Sequence, residues 1–525
     1  MPVQNAPLAR MTARPHRRSR IDRLSTALLV PLLVWAIGAE PATAARPDGQ
    51  LVLTIVDEAT GEPLAARMTL RNPRGRPVVT RGVGVASLGD HFYVDSAVTL
   101  ALRRGQYTFD LDAGPEYHPQ QGHFEILRRS DDATEVRMRR AVDLANEGWV
   151  GADLDAPRQL TGLETAMRAE RLGYKAHLAW REAKGRWENV SDQLRRADRG
   201  HLQHGVIGDD GLIFYRPAPT LAVADLHTID RVDAARLVEL KQEGWRVVAA
   251  DLTDWRLPIW LAYDALDAAM VLDAASLAER EPRTTTGPAR DTTFYPGVRG
   301  LGRWREKIYF HVLGAGLRLP PVAGSGSGEN ELPLGSARVY AWTDGDDSPE
   351  AWWNAVADGA TFVTTGPLLR PTVGGRRPGH VFYVDSSLDV GGDVVGDAGG
   401  GADFQIALSL TTREPIEYLE LLQNGEVSAT VALRDVAASG GRLPPLTFDG
   451  PGWFAVRAVT PSETNYRRAM SAPFYVTADG TPRISAKSCR FFLDWLDQIG
   501  DQASAGEIEA AKAFWTKRLA GANAR

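Results

Sequence analysis

One cysteine in 525 residues excludes several ways of building a protein at once. Cys489 cannot form an internal disulfide, so the fold must rest on a packed core rather than a cross-linked framework. Beyond the N-terminus no run is long and apolar enough to span a bilayer. Positive charge is not in excess: 60 Lys and Arg stand against 66 Asp and Glu, a formal net charge of −6. That balance argues against nucleic acid and anionic membranes as partners. "AGSGSGEN", Ala323 to Asn330, has no following helix and no Lys-Ser/Thr pair, so it is not a phosphate loop. It reads as a flexible linker or as a tight turn at the mouth of a sheet.

Arg14, Arg17, Arg18, Arg20 and Arg23 precede the apolar run Leu24 to Ala39, and Ala42-Thr43-Ala44 follows. That order is expected of a signal peptide over 1–44, cleaved after Ala44, which would send the chain to the periplasm or outside the cell. The run holds Pro31 and is short for a membrane span. Residues 1–44 hold six arginines against Asp22 and Glu40, so the 481 residues that follow carry a formal charge of −10. By length they correspond to roughly three domains.

The expected architecture is multidomain. Residues 48–140 read as a β-sandwich: Leu51, Leu53 and Ile55 alternate, a turn follows at Thr60 to Pro63, and Met68 and Leu70 alternate again. Over 147–370 short helices, glycines and apolar strands take turns, the pattern of a central α/β barrel or open sheet. Its helices carry a Thr161-x-x-Glu164 capping box with closure at Gly173, a stop at Gly244, and Ser348-Pro349 as an N-terminal cap. Residues 371–480 return to a β-sandwich, with Asn424-Gly425 as a hairpin signal. A helical tail over 485–523 has one stripe at Phe492, Trp495, Leu496 and Ile499, on which Cys489 falls. A second stripe at Ile508, Ala511, Trp515 and Leu519 lies behind a Ser504-x-x-Glu507 cap.

Four apolar segments of the middle region end in aspartate. They reach Asp153 and Asp155, then Asp225 with His227, then Asp251 and Asp254, and last Asp273. At the carboxyl ends of barrel strands such acids would converge, and they would repel unless protonated, hydrogen-bonded or bound to a cation. The ordinary alternative for each is an Asx-turn or a cap on the next helix. Glu170 falls on the apolar face of its expected helix and therefore needs a partner, structural or metallic. His227 alone among the middle-region histidines sits at a strand end beside an acid. His201 and His204 read as solvated, and His177 and His311 as packing residues. Asp153, Asp155, Glu170, Asp225, His227 and Asp251 are the candidate metal ligands; Asp254, Trp255, Asp273 and His311 are candidate pocket residues.

"GWVGADLDAP", "MRAERL", "LPIWLA", "GRWREKIYFHVLGAGLRLPPVAGSGSG", "AWWNAVADGATFVTTGPLLRP" and "PGHVF" make the middle region resemble the CehA/McbA branch of the PHP (polymerase and histidinol phosphatase) metal-dependent hydrolases. Through "DEATGEPLAAR" the first segment resembles the carboxypeptidase-regulatory, transthyretin-like β-sandwich. The first resemblance implies a distorted α/β barrel with a multinuclear metal site. It also implies departures from that site. Asp153 and Glu170 match family acids, but Asp155 and Pro157 stand where the family has two histidines. Gly326 and Gly328 stand where the wider superfamily has Asp-x-His, and no histidine precedes Trp255 and Pro258. The oxygen-rich remainder suits Mg²⁺ or Ca²⁺ over Zn²⁺, if a divalent metal binds at all. Two readings stay open: a secreted binding scaffold for an extracellular polymer, without the ancestral catalysis, or a hydrolase of esters or phosphoesters using a rebuilt carboxylate site. A third, a purely structural envelope protein, predicts no pocket.

Overall fold

A computed structural model describes residues 47–79, 86–156, 162–174, 176–183, 186–189, 203–207, 211–216, 232–278, 287–328, 331–383, 394–396, 402–478 and 480–523. Strand outweighs helix, 36% against 23%, and is divided among several sheets. The alternating residues Leu51, Leu53 and Ile55 point inward from the strand Gly49–Asp57, because successive side chains leave opposite faces of a pleated chain. That strand pairs antiparallel with Ala97–Leu102 and parallel with Asp131–Met138. A five-stranded sheet, in the order Ala86–Leu88, His91–Val94, Ala66–Arg71, Gly105–Asp112, Gln120–Ile126, supplies the other half of this core. Leu53, Ile55, Met68, Leu70, Phe92 and Leu111 fill it.

The expected central α/β barrel is not formed among the described residues, and this corrects the fold class read from the sequence. Instead, seven strands lie in the order Arg186–Asn189, Ala176–Ala183, Gln203–Ile207, Leu212–Tyr215, Arg246–Ala249, Ala268–Leu272, Pro321–Ala323. Only three of the six pairings are parallel. Leu212–Tyr215 is antiparallel to both of its neighbours, so the strand–helix–parallel strand unit that builds a barrel is interrupted there. Trp149–Ala152, the strand that would open the barrel, pairs elsewhere: it is antiparallel to Arg338–Trp342. Through that strand and Thr361–Thr364 it joins Arg468–Ser471, Gly452–Val459, Phe474–Thr477 and Val381–Tyr383 in a nine-stranded sheet. Hydrophobic pattern reports which face of a strand is buried but not which strand lies beside it, and the barrel expectation failed on the latter.

Local devices set the helices. Ser348 caps Pro349–Ala357 by accepting from the Ala351 amide at 3.2 Å. The first helix is shorter than the sequence suggests. It spans Leu163–Ala169 behind Gly162, which sits at φ 76° and has no side chain to cap with, and it ends at Glu170, before Arg171 turns to φ 58°. Thr161 lies outside the described residues. Asn424 and Gly425, at φ 54° and 86°, close the hairpin between Tyr418–Gln423 and Glu426–Val431.

The tail is latched to the middle region. Phe492 stacks on Trp515 with ring centroids 4.5 Å apart, and Trp515 Nε1 donates to the Pro258 carbonyl at 2.9 Å. Glu507 forms the reciprocal capping box with Ser504 and also accepts from the Ala234 amide at 3.0 Å, where the helix Ala234–Gln242 begins. Cys489 is buried on the packed face of Ala486–Gln498, and burial pushes its thiol up.

Candidate functional site

Five of the candidate acids, Asp153, Asp155, Glu170, Asp251 and Asp273, fall into three groups with partners from within the chain. Asp153 follows the strand Trp149–Ala152 and is 1% exposed. Its carboxylate accepts from the Ser325 amide at 2.9 Å, the Ser325 hydroxyl at 2.5 Å, the Gly335 amide at 2.7 Å and the Asp155 amide at 3.1 Å. Burial pushes this carboxyl above its ordinary range, and the four donors oppose that rise. The glycine-rich turn is therefore neither a linker nor a phosphate loop; it is an ordered cradle for Asp153. Gly324 passes so close to Asp155 that a Cβ there would lie 2.3 Å from the Asp155 Cβ, and the Gly326 amide donates to the Asp155 carbonyl at 2.7 Å. Asp155 is partly buried against this turn.

Glu170 lies elsewhere. It is 3% exposed and clasped by two guanidinium groups, Arg67 Nε at 2.9 Å and Arg338 Nη2 at 3.3 Å, while Arg338 Nη1 donates to the Glu170 carbonyl. Arg67 comes from the strand Ala66–Arg71, so the inward-pointing carboxylate finds a cation from a distant part of the chain. Burial opposes the charge on both arginines, but Glu170 with Asp112 holds the Arg67 pKa up, and Tyr340 followed by Glu170 does so for Arg338.

The third group is the most informative. Asp251 follows Arg246–Ala249, and Asp273 follows the adjacent parallel strand Ala268–Leu272. Arg305, buried on the helix Gly297–Gly314, donates to Asp251 at 2.9 Å through Nη2 and pairs with Asp273 through Nη1. Asp273 also caps Ala274–Leu277 by accepting from the Ser276 amide and hydroxyl, both at 2.9 Å. Asp251 accepts from the Thr253 amide at 2.8 Å in an Asx-turn. Strand ends do converge here, and a guanidinium sits between them.

Asp254, Trp255 and His311 have partners of their own. Asp254 accepts from the Arg256 amide at 2.8 Å, and Trp255 packs against the large core. Asp225, His227 and His201 lie outside the described residues, as do the side chains of His177 and His204. His311 faces the tail: its ring stacks on Phe491 at 4.1 Å and its Nδ1 lies 3.2 Å from the Ser488 hydroxyl. Among the described residues no three of His, Cys, Asp or Glu gather in a way that could hold a metal ion.

Burial lowers the His311 pKa from 6.5 to about 4, with Lys307 and Lys487 adding to the effect. The unfolded chain thus takes up this proton before the folded one does. The stability held by the neutral ring is present above pH 6.5 and is lost as pH falls toward 4. The loss is expected to reach about 3 kcal/mol at most. Urea unfolding at pH 7 and pH 4.5 checks it: His311→Phe should flatten the dependence, and an unchanged slope would show that His311 does not carry it.

Sequence reasoning missed Arg67, Arg305, Arg338 and Ser325. Arg305 was detectable, because Leu301, Arg305, Ile308 and Val312 share one buried helical face and a lone cation there demands an anion. Arg67 carried no such signal; it shares the outward face of its strand with Thr69 and Arg71, a pattern shared by many solvated faces. Comparison of the chain with family models, with curated proteins and with solved structures finds no match.

Proposed function

We propose that this chain is an exported binding scaffold in which arginines have taken the neutralising place that cations hold in metal-dependent hydrolases. One observation carries the reading: Arg305 lies between Asp251 and Asp273, at the ends of adjacent parallel strands. A divalent ion competing for those oxygens would have to displace a buried guanidinium and leave its charge unpaired, which is costly. Glu170 is engaged in the same manner by Arg67 and Arg338. Descent from the CehA/McbA branch rests on the motifs quoted above, with Asp153 and Glu170 retained and Asp155 and Pro157 replacing histidines. Release of the retained acids from metal duty fits their present structural roles.

A groove of about 840 Å³ suits an extended extracellular polymer. It is lined by Trp342, His380 and Tyr383, the last 58% exposed, and by Asn354 and Asp358. The exposed Tyr383 ring with polar groups beside it is a surface a sugar ring can stack on, while the Trp342 face is already covered by the Arg377 guanidinium, 3.4 Å from its centroid.

The test is metal analysis of the mature chain purified without chelator, combined with assays on nitrophenyl esters and phosphodiesters. No stoichiometric divalent metal and no turnover are expected. Stoichiometric metal, or metal-dependent hydrolysis that Asp155→Ala abolishes, would overturn the reading in favour of a rebuilt hydrolase acting on small esters.

A further inference from the structure

The N-terminal sandwich, the segment around Glu170 and the loops of the C-terminal strands enclose a cavity of about 270 Å³. Four arginines line it. Arg67 comes from Ala66–Arg71, Arg338 opens Arg338–Trp342, Arg413 follows Ala407–Thr411, and Arg467 precedes Arg468–Ser471. Three carboxylates share the wall, and each is already paired. Asp112 meets Arg67 at 3.0 Å and Arg413 at 2.7 Å, Glu170 meets Arg67 and Arg338, and Glu414 meets Arg467 at 2.5 Å. Four cations against three anions leave one positive charge in excess.

Hydrogen-bonding capacity is in excess too. Among the described residues Arg467 donates only through Nη2, to Glu414 and to the Thr365 carbonyl. Arg67 donates through Nε and Nη2 but not Nη1, and Arg413 through its two Nη atoms but not Nε. These are planar, permanently charged donors whose geometry matches carboxylate and phosphate oxygens. They are also largely withdrawn from water, at 20% and 21% side-chain exposure for Arg67 and Arg413, which strengthens any charge-assisted bond they make. The volume is at or below the small end of ligand cavities, too little for a nucleotide cofactor and enough for a compact ion or metabolite.

We propose that this cavity binds a compact multivalent oxyanion, a phosphate group or a short dicarboxylate. The site goes beyond the scaffold reading and does not depend on it: the two share Arg67, Glu170 and Arg338, but Arg413, Glu414 and Arg467 belong to the cavity alone. Calorimetric titration of the mature chain with inorganic phosphate and with succinate, at ionic strength held constant with chloride, tests it. Saturable binding of at least one probe at a single site is expected; phosphate alone or succinate alone would assign the class. Arg467→Gln should weaken the binding at least tenfold, and Glu414→Gln, which raises the net charge, should tighten it several-fold. Both residues are about one-third exposed, so the fold persists, as unfolding curves would verify. Absence of saturation with both probes, or variants that bind like the parent, would overturn the proposal.

Discussion

Replacing Arg305 by methionine is expected to lower the stability of the folded chain by about 3–5 kcal/mol. Methionine fills much of the same volume, so the loss is electrostatic rather than a cavity effect. Without the guanidinium, Asp273, 6% exposed, and Asp251 stand at adjacent strand ends with the Arg305 charge between them removed. Their Asx-turn and capping bonds remain but cannot neutralise two carboxylates. Urea unfolding followed by circular dichroism measures the shift in midpoint. The combined change Arg305→Met, Asp251→Asn, Asp273→Asn should recover more than half of the loss, because asparagine keeps the turn and the cap while removing the charge. An Arg305→Met chain as stable as the parent would show that the guanidinium does not hold these acids.

Glu306→Ala is expected to cost a comparable amount, about 3–5 kcal/mol, through a larger network. Glu306 lies on the same helix, 2% exposed, and pairs with Arg457 and with Arg468 Nε at 2.9 Å, while the Tyr466 hydroxyl donates to it at 3.2 Å. Arg457 also pairs with Glu420. Two buried cations and two buried anions thus balance where Gly297–Gly314 meets the C-terminal sheet. Arg468 is 0% exposed, and without Glu306 only the carbonyls of Val271 and Tyr466, at 2.7 Å and 3.3 Å, would receive its side-chain donors among the described residues. Glu306→Gln keeps an acceptor and should lose less. Hydrogen exchange should rise across Gly297–Gly314 in Glu306→Ala, since the network ties that helix down. A double-mutant cycle with Arg468→Met isolates the pair, and a coupling near zero would count against it.

Devices that act between near neighbours were legible without coordinates. Ser348 with Pro349, the Ser504–Glu507 box and the Asn424-Gly425 turn each work within four residues, and each is found with the expected partners. The tail stripe was legible for the same reason, with Phe492, Trp495, Leu496 and Ile499 all buried. Illegible were the partners of the buried acids. Arg67 lies 103 residues from Glu170, and Ser325 lies 172 from Asp153. An inward-facing carboxylate announces that it needs a partner but not whether that partner is a hydroxyl, a guanidinium or an ion.

The barrel expectation failed on the same distinction. Apolar strands ending in aspartate between short helices are compatible with a closed parallel ring and with the open mixed sheet observed. The choice depended on Leu212–Tyr215 running antiparallel and on Trp149–Ala152 pairing with the distant strand Arg338–Trp342. From its sequence alone this protein has its turns, caps, buried stripes and the positions of acids that must be neutralised, because these follow from backbone geometry and burial over a few residues. Its sheet order, and the arginines that now neutralise those acids, were decided only when distant segments packed, because charge pairing depends on proximity in space and the chain's local pattern does not encode it.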